Sequence, residues 1–157
     1  MKRIGNQLIC GLFLSLIGAV NVAHGNAQTL TLTVVDARTG EPIPHKKARI
    51  YLLDGPASNS SSLSAHTKVD AKTGPDGSYI LNLKSPLPRI VRIFVAIGNW
   101  TQCSSSDYPV TDVLTDGVVA ENKCDSRVQA RVSLRAGQLV VFARPIGFGE
   151  QLKRFPG

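Results

Sequence analysis

The chain has 157 residues, with 18 Lys and Arg against 11 Asp and Glu and a formal charge of +7. That length suits one ordinary domain behind a leader, and a second domain is not expected. The basic balance is spread out and has no nucleic-acid motif behind it, which argues against a nucleic-acid binder and leaves an anionic surface as the partner that such a charge would favour.

Lys2 and Arg3 precede an apolar stretch from Leu8 to about Val22, followed by the small residues Ala23, Gly25 and Ala27. This three-part layout predicts a secretory signal peptide over residues 1–27. A membrane anchor would need roughly 20 uninterrupted apolar residues, and Asn6, Gln7 and Asn21 bracket a shorter core. Cys10 comes too early to be the lipid-bearing residue of a lipoprotein signal. Cleavage after Gly25 or Ala27 leaves about 130 residues, with 16 basic against 11 acidic side chains and a balance of +5. The expectation is a secreted or periplasmic protein without a stable membrane span once the signal is cleaved.

From Thr29, the apolar residues Leu30, Leu32 and Val34 alternate with threonines, the period of a half-buried strand. Asp36 and Thr39-Gly40 are turn formers, and Pro42 and Pro44 lack the amide hydrogen that a central ladder needs, so the strand ends at this corner. KKARIYLL resumes the pattern, with Ala48, Ile50 and Leu52 on one face and Tyr51 and Leu53 on the other. DGPASNSSSLSAH has no period and reads as an exposed loop. A short strand around Thr67 to Ala71 then turns through TGPDG into Tyr79, Leu81 and Leu83, a hairpin signal.

SPLP closes that strand, and IVRIFVAI from Ile90 is β-branched enough for the centre of a sheet. Thr101 to Ser126 breaks the pattern; within it Thr111 is a candidate cap for one or two helical turns. RVQARVSL alternates, with Val128, Ala130, Val132 and Leu134 inward, and QLVVFAR follows. The count is seven short strands, which predicts an all-β, seven-stranded antiparallel sandwich over residues 28–147. In the tail, residues 148–157, Phe148, Leu152 and Phe155 share one stripe of a short C-terminal helix, which either covers the sandwich or docks on a partner.

In an oxidising compartment Cys103 and Cys124 are expected to pair, closing a polar loop. A catalytic thiolate would need a neighbouring base, and His45 and His66, the two histidines beyond the leader, both sit in loop-like sequence. Arg127, Arg131, Arg135 and Arg144, separated by apolar residues, read as a solvated strand face, with contact to envelope phosphate or an acidic polysaccharide as the functional alternative. Asp70 and Asp76 flank a turn, and the loop lacks the spaced oxygen ligands of a calcium site. No metal or cofactor motif is present. Asn59-Ser60-Ser61 and Asn99-Trp100-Thr101 fit the glycosylation triplet.

The pattern LTVVDARTGEPIPHKKARIYL, followed by KTGPDGSYIL, resembles the carboxypeptidase regulatory-like and transthyretin-like domains over roughly Leu30 to Ile97. The motif residues are Asp36, Gly40, Pro42 and Pro44 at the corner and Asp76, Gly77 and Tyr79 at the hairpin. The resemblance implies a Greek-key sandwich of the prealbumin kind. It also implies an accessory module that recognises a protein or glycan of the cell envelope without catalysis. Trp100 and Tyr108 are its candidate binding surface, although Trp100 reads equally well as the cap of a buried strand. The transthyretin-like fold also houses hydrolases of 5-hydroxyisourate, with a His-Val-x-Asp first strand and a Tyr-Arg-Gly-Ser ending. Here Thr33 stands at the first-strand position and the chain ends Arg154-Phe155-Pro156-Gly157. A hydrolase of another type, using the polar loop Thr101 to Ser126, is the alternative function.

Overall fold

The computed structural model describes residues 28–54, 65–95, 98–147 and 150. The expected signal peptide, the serine-rich loop with its Asn59 triplet, and the tail stripe lie outside them. The elements run β1 (Gln28–Asp36), β2 (Lys47–Leu53), β3 (Ala65–Lys72), β4 (Ser78–Leu83), β5 (Ile90–Phe94), β6 (Trp100–Gln102), β7 (Asp107–Pro109), helix α1 (Val110–Thr115), β8 (Val118–Val119) and β9 (Gln138–Pro145). Among the described residues no helix is long and apolar enough to cross a membrane.

The strands form two sheets. In the first, β4 pairs with β1 and β1 with β9, while β6 and β8 share the far edge of β9; in the second the order is β3-β2-β5-β7. Alternate residues of both sheets meet in one core, with Leu30, Leu32, Val34, Leu81, Leu139 and Val141 from the first facing Ala48, Ile50, Ala71, Val91 and Ile93 from the second. The period-2 patterning read from the sequence thus sets which side chains point inward.

Three expectations are corrected. The described residues hold nine strands rather than seven, because β6, β7 and β8 form inside the segment read as a crossing loop. The sheets are not purely antiparallel, since β1 and β8 both run parallel to β9. RVQARVSL joins no ladder at all: the edge of β9 that it would need is taken by β6 over Ala143 to Pro145 and by β8 over Leu139 and Val140. The segment crosses the outer face of the first sheet instead as an extended strap, fastened by the Arg131 N–H donating to the Gly40 carbonyl at 2.7 Å.

Alternation in the strap still has a cause. Ala130 and Val132 pack onto a second, smaller cluster of Val35, Ala37, Cys103, Val140 and Phe142 on the outside of the first sheet. Leu134, past the end of that contact, is 42% exposed.

Asn122 anchors the start of the strap. Its side chain is buried, its Nδ2 donates to the Ala37 carbonyl at 2.8 Å, and its Oδ1 accepts the N–H groups of Cys124 and Asp125. The Cys103–Cys124 disulfide joins the end of β6 to the chain just beyond β8. It therefore ties together the two segments that share the β9 edge. Backbone bonds run alongside it, from Cys103 N–H to the Phe142 carbonyl at 2.8 Å and from Lys123 N–H to the Cys103 carbonyl at 2.7 Å. Helix α1 starts at Pro109 without a side-chain cap, so Thr111 is not its cap; burial of Val110 and Val113 holds it in place.

Replacing both Cys103 and Cys124 by serine removes a cross-link between positions 21 apart. The expected loss is about 3 kcal/mol in denaturant unfolding, with the β signature of the circular dichroism spectrum retained.

Candidate functional site

The corner and the hairpin of the sequence motif meet in space. At the corner the Asp36 carboxylate accepts the Arg38 N–H at 2.7 Å, and the Gly40 N–H closes the turn on the Asp36 carbonyl at 2.8 Å. Gly40 has φ +75°, and a β-carbon there would overlap the Gln129 carbonyl of the strap. Gly77, at the same φ, lies against Pro42 and Ile43, and its carbonyl accepts the Val34 N–H at 3.1 Å.

Asp76 turns the hairpin by accepting the Ser78 hydroxyl and N–H, contacts that hold its carboxyl below the usual carboxylate range. Tyr79 packs half-buried against the main core, while Pro44 is exposed. These residues are architecture: they place one end of the sandwich and the strap together.

Of the other candidates, Asp70 is occupied by Arg49 and Lys68 on its own sheet. Among the described residues no group of three or more His, Cys, Asp or Glu is placed to hold a metal. His45 is exposed at φ 55°. Arg127, Arg131 and Arg144 each pair with an acid, Asp125, Glu41 and Glu150 respectively.

Tyr108 is not a surface residue. It is 6% exposed, part of the main core, and its hydroxyl donates to the Ser105 carbonyl; burial pushes its phenol up from the usual value. Trp100 is half-buried against the same core and carries an unforeseen partner, the Lys46 ammonium, seated 4.1 Å from the ring centroid. Lys46 is only 7% exposed, and burial lowers its pKa to about 8. Its backbone is fixed by two bonds to Thr73, N–H to Oγ1 at 2.8 Å and carbonyl to N–H at 2.9 Å. The indole beneath the ammonium replaces part of its lost hydration. Trp100 is thus the first residue of β6 and covers a buried charge.

A cleft of about 500 Å³ opens between the edges of β3 and β4, lined by Leu52, Val69, Leu81, Pro86 and Pro88 and rimmed by Asp54 and Lys84. Among the described residues no strand pairs with these edges.

The outer face of the second sheet has a different character. Lys47, Arg49 and Tyr51 project from β2 opposite Lys72, Asp70 and Lys68 of β3, and Arg49 and Tyr51 also lie opposite Phe94 and Arg92 of β5. Tyr51 and Phe94 touch edge to face, with centroids 5.7 Å apart and planes at 88°. Arg92 grips Asp107 of β7 through two bonds of 2.6 Å, which lower the Asp107 pKa. Both carboxylates of the face, Asp70 and Asp107, are therefore committed. Lys47 and Lys72, directly opposite one another, have no acidic partner among the described residues.

Like charges at opposed positions cost stability, so this pair is the feature of the face that needs a reason. Sequence reasoning missed it. The signal was present as Lys47-x-Arg49-x-Tyr51 and Lys68-x-Asp70-x-Lys72 at period 2, but it becomes a face only once β2 is known to lie between β3 and β5.

Comparison with protein-family models, with curated proteins and with solved structures finds no match to this chain.

Two outcomes follow. Gly40→Ala forces a β-carbon at positive φ into the Gln129 carbonyl; it is expected to cost about 2 kcal/mol or more, read as a lowered unfolding midpoint, with strap amides exchanging faster than those of the second sheet. For Lys46, the folded chain releases its proton at about pH 8, whereas an unfolded lysine holds it to about 10.4. Between these values the unfolded state binds more protons, so stability rises with pH, while below pH 8 both states are protonated and the burial penalty is constant. Above about pH 10 the raised Tyr108 phenol opposes the trend, because the unfolded tyrosine ionises first. Urea unfolding from pH 7 to 10 should show this gain, and Lys46→Met should flatten it.

Proposed function

We propose that the protein is an exported, non-catalytic β-sandwich module that recognises a protein or glycan of the cell envelope through the outer face of its second sheet. The observation that carries this reading is the face itself, where Tyr51 and Phe94 stand among Lys47, Arg49, Lys68, Lys72 and Arg92 on one four-stranded surface. Phe94 is 40% exposed, and aromatic side chains held on rigid strands are efficient anchors because little conformational freedom is lost on binding.

Further support comes from the resemblance to the carboxypeptidase regulatory-like and transthyretin-like domains. The two linked motifs of that resemblance, Val34 to Pro44 and Thr73 to Tyr79, pack against each other as corner and hairpin. A Greek-key order is part of the same proposal: the chain passes from β1 to the second sheet for β2 and β3, then returns with β4 beside β1. The Cys103–Cys124 bridge suits an oxidising compartment outside the cytosol.

The test is a binding screen of the mature chain against envelope glycans and isolated envelope proteins, with Tyr51→Ser and Phe94→Ser beside the wild type. The expected result is a saturable ligand whose affinity falls about tenfold or more in each variant. Loss of no binding in either variant would move the site off this face, and turnover of a bound ligand would replace the module with an enzyme.

A further inference from the structure

The unmatched Lys47 and Lys72 narrow the class of ligand. On neighbouring antiparallel strands, directly opposed residues have β-carbons about 5 Å apart. Two ammonium groups on such stems can close on a single carboxylate or sulfate between them. A shallow depression of about 410 Å³ lies at this point, lined by Lys47, Ala48, Arg49, Asp70, Ala71 and Lys72. One register step along β2, Arg49 is opposite both Asp70 and Phe94, and one step further Tyr51 is opposite Lys68 and Arg92. Cationic and aromatic positions therefore follow one another along the face at the spacing of the strands.

From this juxtaposition the geometry points to an acidic polysaccharide as the ligand, with an anionic group between Lys47 and Lys72 and a sugar ring on the Tyr51 and Phe94 pair. This rests on the reading of the second sheet as the binding face and adds the chemical class.

Several observations converge on this class. Among the described residues five cations share the face with two carboxylates, and both carboxylates are already held, Asp70 by Arg49 at 2.9 Å and Lys68 at 3.4 Å, and Asp107 by Arg92 at 2.6 Å. The charge left over is positive and concentrated at the Lys47 and Lys72 end. In an edge-to-face aromatic pair the ring that presents its edge keeps both its faces clear of its partner and the other ring keeps one, and pyranose C–H groups pack on such faces as they do on any aromatic plane. A bilayer asks for something else. Interfacial binding needs a broad apolar face to sink below the headgroups, whereas the outward rows here alternate Lys, Arg, Asp and Tyr, with Phe94 as their exposed apolar side chain. A repeating acidic glycan offers charge and ring together, at short regular intervals, along an extended chain.

The arrangement also accounts for a cost that the folded protein carries when free. Opposed lysines repel, and an anion bridging them converts that repulsion into attraction on both sides. Binding should therefore raise stability and should weaken with salt, since exposed charges are screened over about 10 Å at 0.1 M ionic strength.

The experiment uses the mature chain with polygalacturonate and dextran sulfate as acidic probes, neutral dextran as the uncharged one, and vesicles of phosphatidylglycerol as the anionic surface without sugar. Affinity is measured by calorimetry at low and high salt, for the wild type, Lys47→Gln, Lys72→Gln, and Arg135→Gln as a control on the first-sheet side. The expected result is binding of an acidic polysaccharide that falls about fivefold in each of Lys47→Gln and Lys72→Gln. It should weaken with salt and be unchanged in Arg135→Gln. Both glutamine variants should be at least as stable as the wild type without ligand, because each relieves the repulsion, so folding failure does not confound the readout.

Binding of neutral dextran with equal affinity, lost in Tyr51→Ser but not in Lys47→Gln, would overturn the acidic class and leave the binding face standing. Vesicle binding of equal strength and equal sensitivity to Lys47→Gln would overturn the glycan in favour of anionic charge alone. Absence of binding to every probe would overturn the class, while the wider screen of envelope glycans and proteins decides the binding face on its own terms.

Discussion

β1 and β9 lie side by side in the first sheet, and both carry apolar side chains on their two faces. Leu32, Val34, Leu139 and Val141 point into the main core, while Val35, Val140 and Phe142 point the other way. A sheet in an antiparallel sandwich usually leaves its outer face to water, and here that would expose a fully buried phenylalanine and two valines. Much of the rest of the chain follows from the need to cover them. The strap roofs the outer cluster with Ala130 and Val132, Asn122 holds its start, and Gly40 lets the strap's backbone approach closely enough to donate a bond. The disulfide keeps β6 and β8 on the β9 edge, so that the pair is closed laterally as well.

The two sheets therefore differ in how their outer faces are treated. The first is enclosed: strap outside, core inside, both edges of β9 paired. The second keeps an open outer face, and its charged rows are arranged across β3, β2, β5 and β7 with no covering segment among the described residues. A polar outer surface can be left to solvent at no cost in hydrophobic burial, which is why charged side chains line that face and not the one over Phe142. The buried lysine at the end of the sandwich, stacked on Trp100, belongs with the enclosure. Its long stem fills apolar space while the ring shields its tip, a use of lysine as a partly hydrophobic side chain.

What the sequence reveals follows from how local each signal is. β1, β2 and β4 show alternation and β5 and β9 dense apolar runs, with turn chemistry at the ends, and the corner and hairpin glycines mark positive φ directly. The expectation that Cys103 pairs with Cys124 rests on the cysteine count and on an expected oxidising compartment, and the two are joined. By contrast β6, β7 and β8 are two or three residues long, too short for any period to register. The strap has a strand's pattern because any extended chain with one face buried alternates, whether or not it joins a ladder. Tyr108 looked like a surface aromatic inside a polar loop; its burial depends on β7 adding to β5, which local patterning does not report. The charged face suffered the same way, since opposed lysines are visible only when register is known.

The parallel neighbour of β1 is the last strand described, so Gln138 Nε2 reaches Thr33 Oγ1 across 105 positions of sequence. A chain synthesised from its amino end therefore leaves one side of β1 unpaired until the residues of β9 have been made. Closure of such distant contacts is slow, so completion of the first sheet waits on the pairing of β1 with β9. The topology acts as a delay: β1 gains its second neighbour only once the chain has reached β9.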